Sequence, residues 1–319
     1  MPATSQHGRM SAAMSICLIG NLCIDLIIRG VPRLPAWGQE VAGDEYLLAS
    51  SGQTTYTAFA LRALGDPVAV IGCVGGDAWG IQIRGDLESQ GIDVGGLETI
   101  DGGRTALTVA AVRPDGERAF VSDFACLNRA DERVIERGWQ GVDRAGTVCL
   151  LGIFSWPGLS LKRSAALFRR MRRAGKATVL DTGWDPGGWQ PDTLDDLRVL
   201  LAETTIFMPN LDEAAAITGS TEPAEAARRL ALLGPELVVV KLGSQGSLAL
   251  GAGRVIRQEA VPVSVVDTVG AGDVFNAGFL HARERGEPPD RCLRFGAATA
   301  AIYISRGRDR FPSAEEVST

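Results

Sequence analysis

Strand-like and helix-like stretches alternate through the second half of the sequence, and this pattern restricts the fold more than any other feature. Short apolar runs of strand length are followed by longer stretches whose apolar residues recur at helical spacing. The predicted strands lie at residues 148–151, 177–181, 206–208 and 237–242. The predicted helices lie between them, at residues 161–174 and 193–202 and as a helix pair at 211–233. Such alternation predicts an α/β three-layer sandwich, with a mostly parallel central sheet and helices on both faces.

Two segments do not fit this alternation. Residues 26–48 contain two prolines in a mixed pattern, and residues 105–123 resemble a β-hairpin around P-D-G at 114–116. The pattern alone places both outside the main sheet, where they would be surface hairpins. Residues 1–14 lack the apolar run of a signal peptide, so we expect a disordered leader before a single domain of residues 15–319.

Composition excludes several classes of partner. The formal net charge is −6 and the pI is about 5.2, which argues against nucleic acid and anionic membranes. No apolar stretch reaches the length of a membrane span. The six cysteines are scattered without C-x-x-C pairs, which indicates reduced core residues of a cytoplasmic protein and neither a disulfide frame nor a zinc site.

A glycine turn at residues 267–273, D-T-V-G-A-G-D, carries the most specific chemistry. It ends an apolar run and leads into a helix-like stretch. The N–H groups of Gly270, Ala271 and Gly272 would point out of the helix N-terminus and form an anion site. Asp273 in the same place would repel phosphate, so it suits a group that accepts a proton from an attacking nucleophile. The alternative is that Asp273 only caps the helix.

Two further motifs follow predicted strands. Asn210 and Glu213 open a helix after the strand at 206–208, where ligands of open α/β sheets bind, although Asn-x-x-Glu is also an ordinary capping arrangement. K-L-G-S-Q-G at residues 241–246 follows the strand at 237–242, and a simple turn between strands would give the same letters.

Together these motifs resemble the ribokinase-like (PfkB-type) carbohydrate kinases. The resemblance implies that Asp273 is the catalytic base and that Gly270, Ala271 and Gly272 form the anion hole. It also implies that ATP lies against Lys241, Gly243 and Gly246. Asn210 and Glu213 would help to place Mg²⁺ and the phosphates, with Glu213 able to act through water. The segments 26–48 and 105–123 would form a small β lid over the sugar.

The resemblance is weaker at the sugar end. Asp25 matches the family's sugar-binding aspartate, and Gly52 and Gln53 match a segment that holds sugar hydroxyls. Tyr56 stands where the family usually has Asn. If it faces the substrate, we expect a shallower pocket that reads fewer hydroxyls. If it turns into the core, Gln53 is expected to supply the missing amide.

Two other segments depart from the family's motifs. D-T-G-W-D-P at 181–186 lacks the usual Asn-x-Arg. S-R-G-R-D at 305–309 differs from the family's usual T-R-x-G-A, so the sequence leaves open whether a potassium ion binds.

The sequence therefore predicts an ATP-dependent, Mg²⁺-requiring kinase of a small sugar or sugar acid. One alternative is a nucleoside kinase of the same fold, with Trp37, Tyr56 or Phe154 stacking on the base. Another is a non-catalytic sugar sensor, which would have no need of the base Asp273. We also expect a homodimer formed through the lid.

Overall fold

The computed structural model describes residues 15–115, 117–307 and 310–318. The predicted leader at residues 1–14 lies outside the described residues. So do Gly116 of the predicted P-D-G turn and Arg308 and Asp309 of the S-R-G-R-D segment.

The strands of the described chain form two separate sheets. In chain order the strands are β1 (Ser15–Gly20), β2 (Cys23–Arg29), β3 (Glu45–Ser51), β4 (Val68–Gly75), β5 (Asp93–Ile100), β6 (Ala106–Val112), β7 (Arg118–Asp123), β8 (Ala145–Leu151), β9 (Ala177–Asp181), β10 (Ile206–Phe207), β11 (Leu237–Lys241), β12 (Ser247–Gly251) and β13 (Arg254–Gln258). Within the described ranges, nine of them form a main sheet in the order β13-β12-β11-β10-β9-β8-β1-β4-β5. The pairs from β11 to β5 are parallel, and β12 and β13 add an antiparallel edge.

Helices cover both faces of the main sheet. They are α1 (Gln53–Ala63), α2 (Ala78–Ser89), α3 (Arg133–Arg137), α4 (Trp139–Arg144), α5 (Leu161–Arg173), α6 (Pro191–Leu201), α7 (Leu211–Thr218), α8 (Pro223–Ala231), α9 (Ala271–Glu284), α10 (Pro289–Arg306) and α11 (Ala314–Ser318). Successive residues of β1 enter opposite core clusters, with Ile16 and Leu18 on one face and Cys17 and Ile19 on the other. None of the helices in the described ranges is both long and apolar enough to cross a membrane. The predicted three-layer α/β sandwich is confirmed.

The remaining strands of the described residues form the lid sheet, in the order β3-β2-β6-β7. Strand β2 pairs antiparallel with β3 and parallel with β6, and β6 and β7 form an antiparallel hairpin. The two segments that the sequence pattern left outside the main sheet therefore come together as one small sheet, as the family resemblance implied.

Sequence reasoning missed strand β5 and helices α3 and α4. Strand β5 is an edge strand with two glycines and a partly exposed pattern, so it presents no apolar run. Helices α3 and α4 have 5 and 6 residues, which is too short for helical periodicity to be visible. Helix α2 starts at Ala78, where the Asp77 carboxylate caps the helix by accepting a hydrogen bond from the Gly80 N–H.

Candidate active site

The carboxyl ends of three adjacent strands converge at one edge of the main sheet. Strand β9 ends at Asp181, β11 ends at Lys241, and Asn210 follows β10. Helix α9 begins at the same place, so its N-terminus faces these residues across a cavity of about 670 Å³, called here the main cavity. Polar residues and a helix N-terminus at such an edge are the usual setting of a binding site in an α/β fold.

The glycine turn delivers helix α9 to the main cavity. Gly270 has a left-handed backbone with φ of 78°, and a Cβ atom there would lie 2.9 Å from the Tyr56 ring, so only glycine fits. The Ala271 N–H donates to the Thr268 carbonyl at 3.2 Å. The N–H groups of Gly272 and of the next residue have no partner within the helix. No side chain of the described residues caps this helix, so its N-terminus presents partial positive charge to the cavity.

Asp273 lines the main cavity in the first turn of α9. Burial raises the pKa of its carboxyl well above the ordinary value, and the neighbouring Asp181 carboxylate raises it further. Lys241 and a hydrogen bond from Gln53 oppose this rise. An elevated carboxyl pKa brings the group closer to neutral pH, which favours a role as general base.

Lys241 lies beneath the helix N-terminus in a buried network. Its ammonium pairs with the Asp181 carboxylate, which is 1% exposed and also accepts a hydrogen bond from Asn276 Nδ2 at 2.6 Å. The ammonium lies 3.6 Å from the position that a Cβ atom on Gly272 would take. Burial alone would lower the pKa of Lys241, but attraction to Asp181 and Glu213 outweighs it and the pKa is raised. Lys241 therefore places a fixed positive charge beside the anion site.

Asn210 and Glu213 form a capping box at the start of α7. The Glu213 N–H donates to Asn210 Oδ1 at 2.8 Å, and the Asn210 N–H donates to Glu213 Oε2 at 3.0 Å. Both residues also line the main cavity, so the capping role does not remove them from the site. Burial, followed by repulsion from Asp181, raises the pKa of Glu213 to about 7.

Gly243 and Gly246 line another part of the main cavity. Gly246 has φ of 87°, and a Cβ atom there would lie 2.0 Å from the Gln258 carbonyl oxygen, so a side chain at this position is excluded. Small and apolar residues continue this wall, including Ala260, Val261, Pro262, Ala297, Ala300 and Ala301. The wall is suited to a flat, partly apolar group such as a nucleobase.

Gln53 enters the main cavity from the first turn of α1. Gly52 before it has φ of 101°, and a Cβ atom there would lie 2.5 Å from the Asn21 carbonyl oxygen. Cβ atoms built on Gly152 and Gly183 would lie 2.6 and 2.8 Å from Gln53 Oε1, so these glycines leave room for the amide. Asn21 Oδ1 lies 2.4 Å from the position that a Cβ atom on Gly152 would take. It is a buried acceptor without a partner among the described residues.

Asp25 lies in the lid sheet and is 6% exposed. It pairs with Thr108 across β2 and β6, and Thr108 pairs with Ser122 across β6 and β7. The Thr108 and Ser122 hydroxyls are 3.0 Å apart. Because directly paired residues share one face of a sheet, these three side chains form a polar row across the lid.

Tyr56 occupies a different place from the other predicted substrate residues. It is 5% exposed, its ring packs against the Gly270 position, and it lines another cavity of about 540 Å³ with Phe59 and Phe311. Among the residues described, those that line the main cavity include Gln53 but not Tyr56. The geometry therefore favours packing for Tyr56 and leaves the amide function to Gln53.

We expect Tyr56→Asn to destabilise the fold and to leave the ranking of acceptors unchanged. Removing a buried ring beneath the glycine turn is expected to cost about 3–5 kcal/mol of unfolding free energy. Tyr56→Phe keeps the ring and is expected to cost about 0.5–1.5 kcal/mol. Urea unfolding and kcat/KM across a set of acceptors check both variants. A reordering of acceptors by Tyr56→Asn would return this residue to the substrate site.

Several residues of the site were not selected as site residues from the sequence. These residues are Asp181, Asn276, Asn21 and Arg118. Asp181 ends an apolar strand run, and Asn276 lies three residues after Asp273 on one helix face, so both carried a usable signal. Arg118 carried none, because it reaches the main cavity from a lid strand 150 residues away from its partner Thr268.

Comparison with known proteins agrees with this geometry. Residues 13–316 match the model of the pfkB family carbohydrate kinases. The chain is 27% identical to a ribokinase of Haemophilus influenzae over 297 residues, covering 92% of each chain. It is 31% identical to a 1-phosphofructokinase of Haloferax volcanii over 282 residues, covering 86% of each. The structure of Arabidopsis thaliana ribokinase complexed with ribose and ATP superposes with a TM-score of 0.81 at 25% identity, covering 96% of this chain and 98% of that one. The chain therefore belongs to the pfkB family of carbohydrate kinases, which are phosphotransferases with an alcohol group as acceptor.

Proposed function

We propose that this kinase transfers the γ-phosphoryl group of ATP to a primary hydroxyl of a small sugar or sugar acid. The observation that carries the proposal is the position of Asp273. Its carboxyl lies in the main cavity beside the amide of Gly272 and within the field of Lys241, so a proton acceptor and an anion site share one place. A group that accepts a proton beside a site for phosphate is what attack of a hydroxyl on phosphorus requires.

In the proposed step, the acceptor hydroxyl gives its proton to the Asp273 carboxylate while its oxygen attacks the γ-phosphorus. The bond from that phosphorus to the bridging oxygen breaks, and ADP leaves with the electron pair. The Gly272 amide and the Lys241 ammonium stabilise the charge on the transferred phosphoryl group. Gln53, which lowers the pKa of Asp273 as a hydrogen-bond partner, would help to orient the carboxyl.

Magnesium fits this residue set as an ion held mainly by phosphate and water. Within the described ranges, no three His, Cys, Asp or Glu side chains lie close enough to enclose a metal ion. Asp181, Glu213 and Asp273 nevertheless act on one another electrostatically with Lys241 as the compensating charge. A divalent cation on the triphosphate would offset this excess of negative charge, and Glu213 would hold the cation through water. Bound there, Mg²⁺ neutralises charge on the phosphate oxygens.

ATP is proposed to lie with its base against the wall that includes Gly243 and Gly246. The acceptor is proposed to lie where Gln53 lines the main cavity, with the orphan acceptor Asn21 Oδ1 beside Gln53 at Gly152 and with Asp25 supplied by the lid sheet. A buried acceptor without a partner is costly unless a ligand donates to it, and a sugar hydroxyl is such a donor.

A sugar is favoured over a nucleoside because the aromatic residues considered for base stacking lie elsewhere. Trp37 is fully exposed, Tyr56 lines the other cavity, and Phe154 packs edge-on against Trp189 with ring centroids 5.1 Å apart. None of these rings, as described, forms a free platform in the main cavity.

The test is ADP release with ATP, Mg²⁺ and a panel of pentoses, hexoses, sugar acids and nucleosides. We expect turnover with at least one sugar or sugar acid, and its loss when EDTA removes the metal ion. Preference for adenosine or inosine would replace the acceptor class with nucleosides. Tight sugar binding without ADP release would favour a sensor and contradict the proposal.

We propose a homodimer formed through the outer face of the lid sheet. Tyr46 and Val121 lie on the face opposite the row of Arg29 and Arg118, and they are 73% and 72% exposed. Exposed apolar side chains on a small sheet favour pairing with a second copy. Light scattering is expected to give twice the 33.7 kDa chain mass, and a monomer at high concentration would contradict this.

The six cysteines are free and buried, which supports the reducing, cytoplasmic setting expected from the sequence.

A further inference from the structure

Two arginines of the lid sheet contact the glycine turn. Arg29 Nη2 donates to Asp267 Oδ2 at 2.8 Å, and Arg118 Nη1 donates to Thr268 Oγ1 at 2.6 Å. Arg29 on β2 and Arg118 on β7 both lie directly opposite Val112 on the strand between them, β6. The two arginines therefore share one row and one face of the lid sheet. This basic row faces the loop that ends in the anion site.

The two arginines differ in how their charge is balanced. Arg29 is paired with two carboxylates, those of Glu45 and Asp267. Arg118 contacts the neutral hydroxyl of Thr268, and in the described part of the chain no carboxylate forms an ion pair with it. Arg118 also lines the main cavity together with Lys241 and Asp273. A guanidinium with unused donors thus faces a cavity that already contains an anion site.

We propose that Arg118 donates hydrogen bonds to the oxygens of the phosphoryl group as it passes from ATP to the acceptor. The planar fork of the guanidinium matches phosphoryl oxygens and carries a fixed positive charge. The lid would supply this charge from one side of the transferred group, while Lys241 and the Gly272 amide supply theirs from the main domain. This inference rests on the proposed function, and the bonds made and broken are those given above.

The position of Arg118 on the lid indicates which anion it binds: the transferred phosphoryl group, and not an anionic group of the acceptor itself. Arg118 lies four residues from Ser122 along β7, which is about 13 Å in an extended strand. Ser122 belongs to the polar row with Asp25 at the sugar end, whereas Arg118 lies over Thr268 in the glycine turn. The geometry therefore points to the phosphate end of the cavity.

Arg118→Ala tests the proposal, with Arg113→Ala as the matched control. Arg113 lies in the same hairpin, is exposed, and pairs with Asp115. We expect Arg118→Ala to lower kcat by about 100-fold or more with every acceptor, because loss of one preformed donor to a developing charge costs about that much. KM for ATP is expected to stay within about threefold. Added guanidinium should restore part of the rate, and Arg113→Ala should behave like the parent.

A change confined to KM for acidic or phosphorylated acceptors, with kcat retained, would overturn the proposal and assign Arg118 to the acceptor's own anion. An equal loss of kcat in Arg113→Ala would also overturn it, because the effect would then be structural.

A second measurement does not require the acceptor to be known. Binding of ADP with Mg²⁺ and aluminium fluoride, a mimic of the transferred group, is measured by calorimetry in the parent and in Arg118→Ala. We expect about 100-fold weaker binding of the mimic and unchanged binding of ADP alone. Unchanged binding of the mimic would sink the role of Arg118, whereas a parent protein that phosphorylates no acceptor would count against the proposed function.

Discussion

Asp273→Asn is expected to lower kcat by about 10²–10⁴-fold while it raises the melting temperature of the protein. The loss of rate follows from removal of the proposed general base, since Asn cannot accept the proton of the attacking hydroxyl. Substrate binding is expected to change less than kcat, because the Gly272 amide and Lys241 remain in place.

The gain in stability follows from the raised pKa of Asp273. The folded-state pKa lies well above the ordinary value of about 3.9, so at pH values between the two the folded protein keeps a proton that the unfolded chain has released. Stability contributed by this group is present below the unfolded pKa and is lost as pH rises through the folded pKa. At pH values above that window the carboxylate therefore destabilises the fold, and Asn removes this cost.

Scanning calorimetry and steady-state kinetics measure both effects on the same protein. We expect the melting temperature to rise by on the order of 2–4 °C for each 1 kcal/mol gained. Asp290→Asn is the matched control, because Asp290 is an exposed aspartate in the first turn of the neighbouring helix α10. It should leave both properties unchanged. An Asp273→Asn protein with the parent's kcat, or with a lower melting temperature, would contradict the account of this residue.

Lys241→Met is expected to destabilise the protein by about 3–5 kcal/mol and to abolish most activity. The Asp181 carboxylate is 1% exposed, so loss of the ammonium leaves a buried charge without a cationic partner, held by hydrogen bonds from the Asn276 amide at 2.6 Å and the Gly183 N–H at 3.3 Å. The same change removes the positive charge beside Gly272.

Lys162→Met provides the matched control, since Lys162 pairs with Asp196 at the surface, where its side chain is 66% exposed. We expect no measurable loss of stability there, because an exposed ion pair is screened by solvent. The double change Lys241→Met with Asp181→Leu should recover much of the lost stability and none of the activity, because it removes both buried charges. Urea unfolding measures all three. Equal costs at Lys241 and Lys162 would show that the Lys241 pair is not buried in solution.

The sequence was sufficient where chemistry is local. Asp273 ends the glycine turn at residues 267–273, and Asn210 and Glu213 are three residues apart, so turn and helix rules placed each motif without knowledge of the fold. Regular alternation of strands and helices was likewise enough for the main sheet.

Residues brought together by tertiary structure were harder to predict. The direction of a side chain on a short helix is one case: Gln53 and Tyr56 lie three residues apart on α1, yet only Gln53 enters the main cavity. Packing against Gly270 decides this, and no local pattern encodes it. Arg118 is another case, because its approach to Thr268 depends on how the lid sheet lies over the main domain.

The most direct test of the account is to follow the γ-phosphorus of ATP. The parent protein is incubated with Mg²⁺, isotopically labelled ATP and the acceptor that gives the fastest ADP release, and the products are analysed by phosphorus NMR and mass spectrometry. We predict one phosphorylated sugar for each ADP, with the label on a primary hydroxyl oxygen of the acceptor. ADP with only inorganic phosphate, or no transfer to any sugar or sugar acid, would contradict the account.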